Sequence, residues 1–190
     1  MVDVSRVCVV AATVRELAPS AGWQTFACGV GPVEAALAST AFLARERPAA
    51  ILQIGIAGAR RAAALAPAAV VIGSAARYTD LAVDNAMAPR VVVPSPLLVA
   101  AARQVLPDAV AWPIATAGKV GGSTECEVEA MEGFAVLRAA ELAGVPALEV
   151  RVISNEIEER DRTRWHFEHA FAAVHAITPR LVDAIAQCVN

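Results

Sequence analysis

The chain has 190 residues, a formal net charge of -3 and 57 % apolar residues. That balance speaks against nucleic acid or an anionic membrane as partner, because both select for concentrated positive charge. The length predicts one domain, residues 1–190, with room for a sizeable core.

The longest apolar run, Ala62 to Ala76, is broken by Pro67, Gly73 and Ser74 and falls short of the roughly 18 residues a membrane-spanning helix needs. Asp3 and Arg6 precede a β-rich run, which is not the layout of a signal peptide. Cys8, Cys28, Cys126 and Cys188 form no CxxC pair and no metal-ligand spacing. They read as buried free thiols in a reducing cytoplasm, with neither metal nor cofactor expected.

Taken in order, Val4 to Ala12 predicts a hydrophobic strand that turns through Thr13-Val-Arg-Glu into a short helix. Trp23 to Val30 predicts a second strand, and Gly29-Val-Gly-Pro a tight turn into a helix running to about Arg47, with Pro32 near its start. Ala50 to Ala57 is continuous in its apolar residues, as in a strand buried on both faces. Val70 to Ala76 is strand-like, and an irregular loop follows from Tyr78. Val91 to Val93 is a short strand, Ser95 or Pro96 opens a helix to Leu106, and Trp112 to Ala117 is again strand-like. Gly118 to Glu125 reads as a glycine-rich loop.

From Glu129 to Leu142 apolar residues recur every three or four positions, which predicts an amphipathic helix stopped by Gly144 and Pro146. Ala147 to Ser154 is β-branched and strand-like, and it ends in the polar pair Ser154-Asn155. A charged run, Glu156 to Arg164, leads to two C-terminal helices, the second restarted by Thr178 as N-cap and Pro179 as first helical residue. Strands alternating with helices predict an α/β fold: a three-layer α/β/α sandwich around a central mixed sheet.

Some polar groups stand where chemistry is expected. Glu132 falls on the apolar side of the predicted helix, near its start, and Asn155 at the C-terminal end of a strand, where open α/β sheets bind ligands. Arg151 lies inside an apolar strand and needs a partner or an edge position. On the residues alone Glu16 reads first as a solvated or first-turn carboxylate favoured by the helix dipole, and second as a general base at a strand-to-helix turn. His166 and His169 are three apart but have no third metal ligand in evidence, and with His175 they read as exposed or core histidines.

Ala130-Met-Glu-Gly-Phe-Ala and Val150-Arg-Val-Ile-Ser-Asn resemble the two signature segments of the nucleoside phosphorylase/nucleosidase superfamily. Within it, the Met-Glu-Gly-Phe-Ala spelling, Asn after Ile-Ser and an Arg-Asp-Arg-x-x-Trp tail are most similar to the futalosine hydrolases. The resemblance implies a phosphorylase/hydrolase-like fold and an N-glycosyl hydrolase that acts on a small-molecule nucleoside and assembles as a homo-oligomer. It implies that Glu16 activates water with help from Arg151, that Glu132 and Met131 hold the ribose, and that Asn155, steadied by Ser154, meets the purine. Ala57 and Gly58, in Ile54-Gly-Ile-Ala-Gly, match the family's glycine loop, and Trp165 the aromatic covering the 5′ side of the sugar.

An asparagine amide cannot act as the acid that an aspartate supplies to adenine, but it can both donate to and accept from a 6-oxopurine such as hypoxanthine. Futalosine carries a carboxylated aryl ketone at its 5′ end, and the resemblance offers Arg160, Arg162 and Arg164 as partners for that carboxylate. Ile56 stands where family members often carry Ser or Thr, which favours water over phosphate as nucleophile, whereas Arg15 lies close to the phosphate-binding arginine of phosphorylases. A methylthioadenosine/S-adenosylhomocysteine nucleosidase, a purine nucleoside phosphorylase and a non-catalytic nucleoside-binding homologue stay open as alternatives.

Overall fold

A computed structural model describes residues 3–84, 86–122 and 125–189. Eight strands, β1 (Val7–Ala11), β2 (Gln24–Ala27), β3 (Ala50–Ala59), β4 (Val70–Tyr78), β5 (Val91–Val92), β6 (Val110–Thr116), β7 (Val128–Ala130) and β8 (Ala147–Glu156), form one mixed sheet. Its helices are α1 (Pro32–Leu43), α2 (Pro96–Val105), α3 (Gly133–Ala143) and α4 (Phe167–Val189).

The sheet closes on itself. β3 pairs in parallel with β8 and antiparallel with β7; β8 pairs antiparallel with β4; β4 and β7 each pair in parallel with β6. The ring β3-β8-β4-β6-β7 holds a small apolar cluster to which every one of its strands contributes: Ala57, Ala59, Ile153, Val71, Ile114, Val128 and Ala130. β1 and β2 extend the sheet beyond β3, and β5 extends it beyond β4.

Helices cover both faces, as the alternating pattern predicts. α2 and α4 pack Leu98, Ala102, Val174, Leu181 and Ile185 against Val9, Leu52, Val150 and Val152. α1 and α3 pack Ala35, Leu43, Val136 and Ala140 against Cys8, Val10 and Ile51. β1 is buried throughout, and β8 is buried up to Asn155, which explains their unbroken apolar sequence. Among the described residues no helix is long and apolar enough to cross a membrane.

Several boundaries differ from expectation: β2 ends at Ala27 rather than Val30 and α1 at Leu43 rather than near Arg47, and three others have a visible cause. The helix predicted from Glu129 begins at Gly133, because Val128–Ala130 is β7, held between β3 and β6. Tertiary pairing overrides a local period over so short a stretch. The first strand begins at Val7, after a 3-10 turn over Val4–Arg6 that the Asp3 side chain caps. The C-terminal pair is a single helix that runs through Pro179. The proline removes one backbone donor, but Val174, Ile177, Leu181 and Val182 are buried on either side of it and keep the axis continuous. Of the predicted glycine-rich loop, Ser123 and Thr124 lie outside the described residues.

Candidate active site

Glu16 ends a 3-10 turn, Val14–Glu16, that follows β1. Only 4 % of it is exposed, unlike a solvated first-turn glutamate. Its Oε2 accepts from the Thr13 backbone N–H and hydroxyl, both at 2.9 Å, and its Oε1 accepts from the Ile56 N–H at 3.2 Å. Three donors therefore orient the carboxylate, and two elements distant in sequence, the β1 turn and β3, fix its place.

Glu132 is the N-cap of α3 rather than a residue of the helix. Its Oε1 accepts from the Gly31 N–H at 3.1 Å, tying it to the start of α1. Its Oε2 accepts from Nη2 of Arg151 at 3.2 Å. Arg151 is in the middle of the sheet, since β8 has neighbours on both sides, so the sheet-edge alternative is excluded. Its Nε donates to Oε1 of Glu149 at 2.9 Å and its Nη1 to the Ile56 carbonyl at 3.4 Å. Burial opposes the charge on Arg151, but Glu149, Glu132 and Glu16 outweigh it and hold the guanidinium firmly protonated. Glu149 goes the other way: complete burial raises its pKa despite Arg151.

A bulge brings two adjacent side chains to one place. The register between β3 and β8 runs Ala57↔Ile153 and then Gly58↔Asn155, so Ser154 is an extra residue. Strict alternation would point Ser154 and Asn155 to opposite faces. Instead both face one cavity. The Ser154 hydroxyl lies 2.8 Å from Oδ1 of Asn155 and 3.2 Å from the Ala57 carbonyl, and Nδ2 of Asn155 donates to the Glu156 carbonyl at 2.9 Å. These bonds set the amide's orientation and leave one N–H and one oxygen lone pair for a ligand.

The cavity holds about 270 Å³. Glu16, Ala57, Gly58, Met131, Glu132, Ser154, Asn155 and Trp165 all line it. Arg151 does not: it lies behind the wall, buried, and reaches the cavity only through the carboxylates it holds. Arg160 and Arg162 line an adjoining hollow that shares Val120, Ile157 and Trp165 with the cavity, and Arg164 is exposed and paired with Glu159 and Asp161. Burial pushes the Cys28 thiol up to about 12, so it is no nucleophile. Cys126 and Cys8 are also buried and free, whereas Cys188 is only partly buried. Among the described residues no cluster of acidic, histidine or cysteine side chains is arranged to hold a metal ion.

The Phosphorylase superfamily profile matches residues 17–189. A futalosine hydrolase of Streptomyces coelicolor is 32 % identical over 196 aligned positions, covering 86 % of this chain and 80 % of the relative. The chain belongs to the phosphorylase superfamily. A methylthioadenosine/S-adenosylhomocysteine nucleosidase of Colwellia psychrerythraea in complex with adenine superposes with a TM-score of 0.78 at 20 % identity, covering 96 % of this chain and 95 % of that one. The native futalosine hydrolase of Helicobacter pylori does so at 0.79 and 16 % identity, covering 95 % and 97 %. These two structures share its fold.

Within this superfamily fold, several lining residues escape a motif-based reading. Glu129, buried in β7, lines the cavity and accepts from the Gly121 N–H at 2.5 Å, drawing the glycine loop over it. Val120 and Ile157 add apolar wall. Phe167 and Phe171 also face the cavity; their spacing of four on α4 was the available signal. Glu149 was legible too, since it stands two residues before Arg151 and so on the same face of the strand.

Proposed function

We propose that the chain is a nucleosidase that hydrolyses futalosine to release hypoxanthine, as a step of menaquinone biosynthesis. The observation that carries this reading is the convergence of Glu16, Glu132 and Asn155, from the β1 turn, the α3 N-cap and the end of β8, on one apolar-walled cavity. Glu16 takes a proton from water, whose oxygen bonds to C1′. The C1′–N9 bond breaks, its electron pair goes to the purine, and the purine anion takes a proton from solvent water to leave as neutral hypoxanthine, while Glu16 returns its proton to solvent. Charge develops on the ribose during that step, and the carboxylates of Glu16 and Glu132 oppose it.

Glu132 accepts from the ribose hydroxyls, and Met131 packs on the sugar. Arg151 is a positioning residue that holds Glu132 from behind. Asn155 donates its spare N–H to the 6-oxopurine and accepts with its oxygen. Ile56 offers neither hydroxyl nor charge, which suits water rather than phosphate as nucleophile. The protein works in the cytoplasm, needs no cofactor and assembles as a homo-oligomer, with exposed Val30, Val33 and Leu37 on and before α1 as the apolar surface available for it.

The test is base release in phosphate-free buffer from futalosine, inosine and methylthioadenosine side by side. Hypoxanthine from futalosine is the expected result. Adenine from methylthioadenosine instead would move the chain to the methylthioadenosine/S-adenosylhomocysteine nucleosidases. Strict dependence on phosphate would make it a phosphorylase, and nucleoside binding without turnover a binding protein.

A further inference from the structure

The cavity has a polar end and an aromatic end. Asn155, Gly58 and Ile157 pack together: a β-carbon on Gly58 would lie 3.1 Å from Nδ2 of Asn155 and 3.1 Å from Cγ1 of Ile157. The hollow lined by Arg160 and Arg162 shares Val120, Ile157 and Trp165 with the cavity, and the Arg162 guanidinium lies 5.3 Å from the Trp165 ring centroid. From Trp165 an aromatic ladder leads to Arg15. Trp165 and Phe167 have ring centroids 5.3 Å apart, and Phe167 stacks on Phe171 at 6.2 Å. The guanidinium of Arg15 lies 4.6 Å from the Phe171 centroid. Trp165 starts close to the bulge, because the next residue's N–H donates to the Ser154 carbonyl at 2.8 Å.

The charged groups lining the cavity are all carboxylates: Glu16, Glu129 and Glu132. An anionic substituent needs a cation that the lining does not supply, and at the end of the ladder Arg15 supplies it. Arg15 pairs with Glu168, whose side chain is 84 % exposed. Such a surface pair contributes little and exchanges readily. Stacking on Phe171 holds the guanidinium plane in place, so its N–H edge can meet a carboxylate in the bidentate geometry that carboxylates favour.

We infer that Arg15 is the docking residue for an anionic 5′ substituent: an aryl group on the sugar's 5′ arm stacks along Phe167 and Phe171, and its carboxylate displaces Glu168 from Arg15. The inference rests on the nucleosidase reading; Arg162, 5.3 Å from the Trp165 ring centroid, is the competing cation, and a loss of the acid-over-ester preference in Arg162→Ala but not in Arg15→Ala overturns the assignment.

The experiment compares futalosine, its carboxylate methyl ester and inosine as substrates of the full-length wild type, Arg15→Ala, Arg15→Lys, Arg162→Ala and Glu168→Gln, with and without phosphate. In the wild type, esterification raises KM about 10-fold or more, as loss of a charge-assisted pair requires. Arg15→Ala lowers the futalosine-to-inosine ratio of kcat/KM by about 10- to 100-fold through KM, and Arg15→Lys recovers part of it. In Arg15→Ala the ester and the acid become equivalent. Glu168→Gln, at an exposed position, lowers KM for the acid and not for the ester. Equal KM for acid and ester in the wild type, or a loss in Arg15→Ala shared equally by futalosine and inosine, overturns the assignment while the nucleosidase reading stands. Phosphate-stimulated release that Arg15→Ala abolishes makes Arg15 a phosphate site and also overturns it. Wild-type protein that releases base from none of the three removes the nucleosidase reading and the role of Arg15 together.

Discussion

Glu16 and Arg151 meet at Gly55. A β-carbon placed on Gly55 would lie 2.6 Å from Oε1 of Glu16 and 2.7 Å from Nη1 of Arg151, closer than real β-carbons come. The glycine is the gap through which the buried arginine approaches the cavity carboxylate. Gly55→Ala is expected to displace one of the two and lower kcat at least 100-fold, at a stability cost of about 1–3 kcal/mol. Single-turnover kinetics and thermal melts on the same preparation check it. A variant with wild-type kcat would mean that the approach of Arg151 to Glu16 is irrelevant to turnover.

Glu16→Gln keeps the shape of the side chain and removes the base. Loss of a positioned general base typically lowers the rate by about 10²–10⁴. The expected outcome is that loss in kcat, with nucleoside affinity measured by calorimetry changed by no more than a few-fold. Turnover within tenfold of wild type would remove Glu16 as the group that takes the proton from water.

Asn155→Asp replaces an N–H donor with an oxygen 2.9 Å from the Glu156 carbonyl. Two acceptors then face each other in a buried place, which costs about 1–3 kcal/mol. Activity on the 6-oxopurine substrate is expected to fall 10- to 100-fold, with 6-aminopurine nucleosides relatively favoured. The ratio of hypoxanthine to adenine release measures it, and an unchanged ratio would show that Asn155 does not read the base.

Burial raises the pKa of Glu149 above its ordinary value of 4.5. An acid raised in the folded state favours its protonated form there. Its contribution to stability is complete below the unfolded pKa and is lost as pH rises through the folded one. Glu149→Gln lacks that dependence. The melting-temperature difference between Glu149→Gln and wild type should shift in favour of the variant as pH rises above about 4.5. Scanning fluorimetry across pH checks it: a flat difference, or one of opposite slope, rejects the raised pKa.

Much of this molecule is legible in the sequence alone. Unbroken apolar runs at β1, β3 and β8 locate the buried strands, because central strands bury both faces. Gly144 ends α3 in a left-handed conformation that its sequence position predicts. Met131, Glu132, Ser154 and Asn155 stand out as polar or sulfur-bearing breaks in apolar surroundings. What such patterns lack is anything that depends on two distant segments. β7 carries a helical period and became a strand because β3 and β6 flank it. Pro179 reads as a helix start, yet buried neighbours on both sides carry the helix through it. The extra residue at Ser154 turns two consecutive side chains into one cavity, and a period of two cannot announce it. Local composition and spacing therefore determined the elements and the candidate residues. Only tertiary structure decided that Arg151 stands behind the wall and that Arg15 closes an aromatic ladder, since the first is set by pairing across nearly a hundred residues and the second by packing of α4 on the β1 turn.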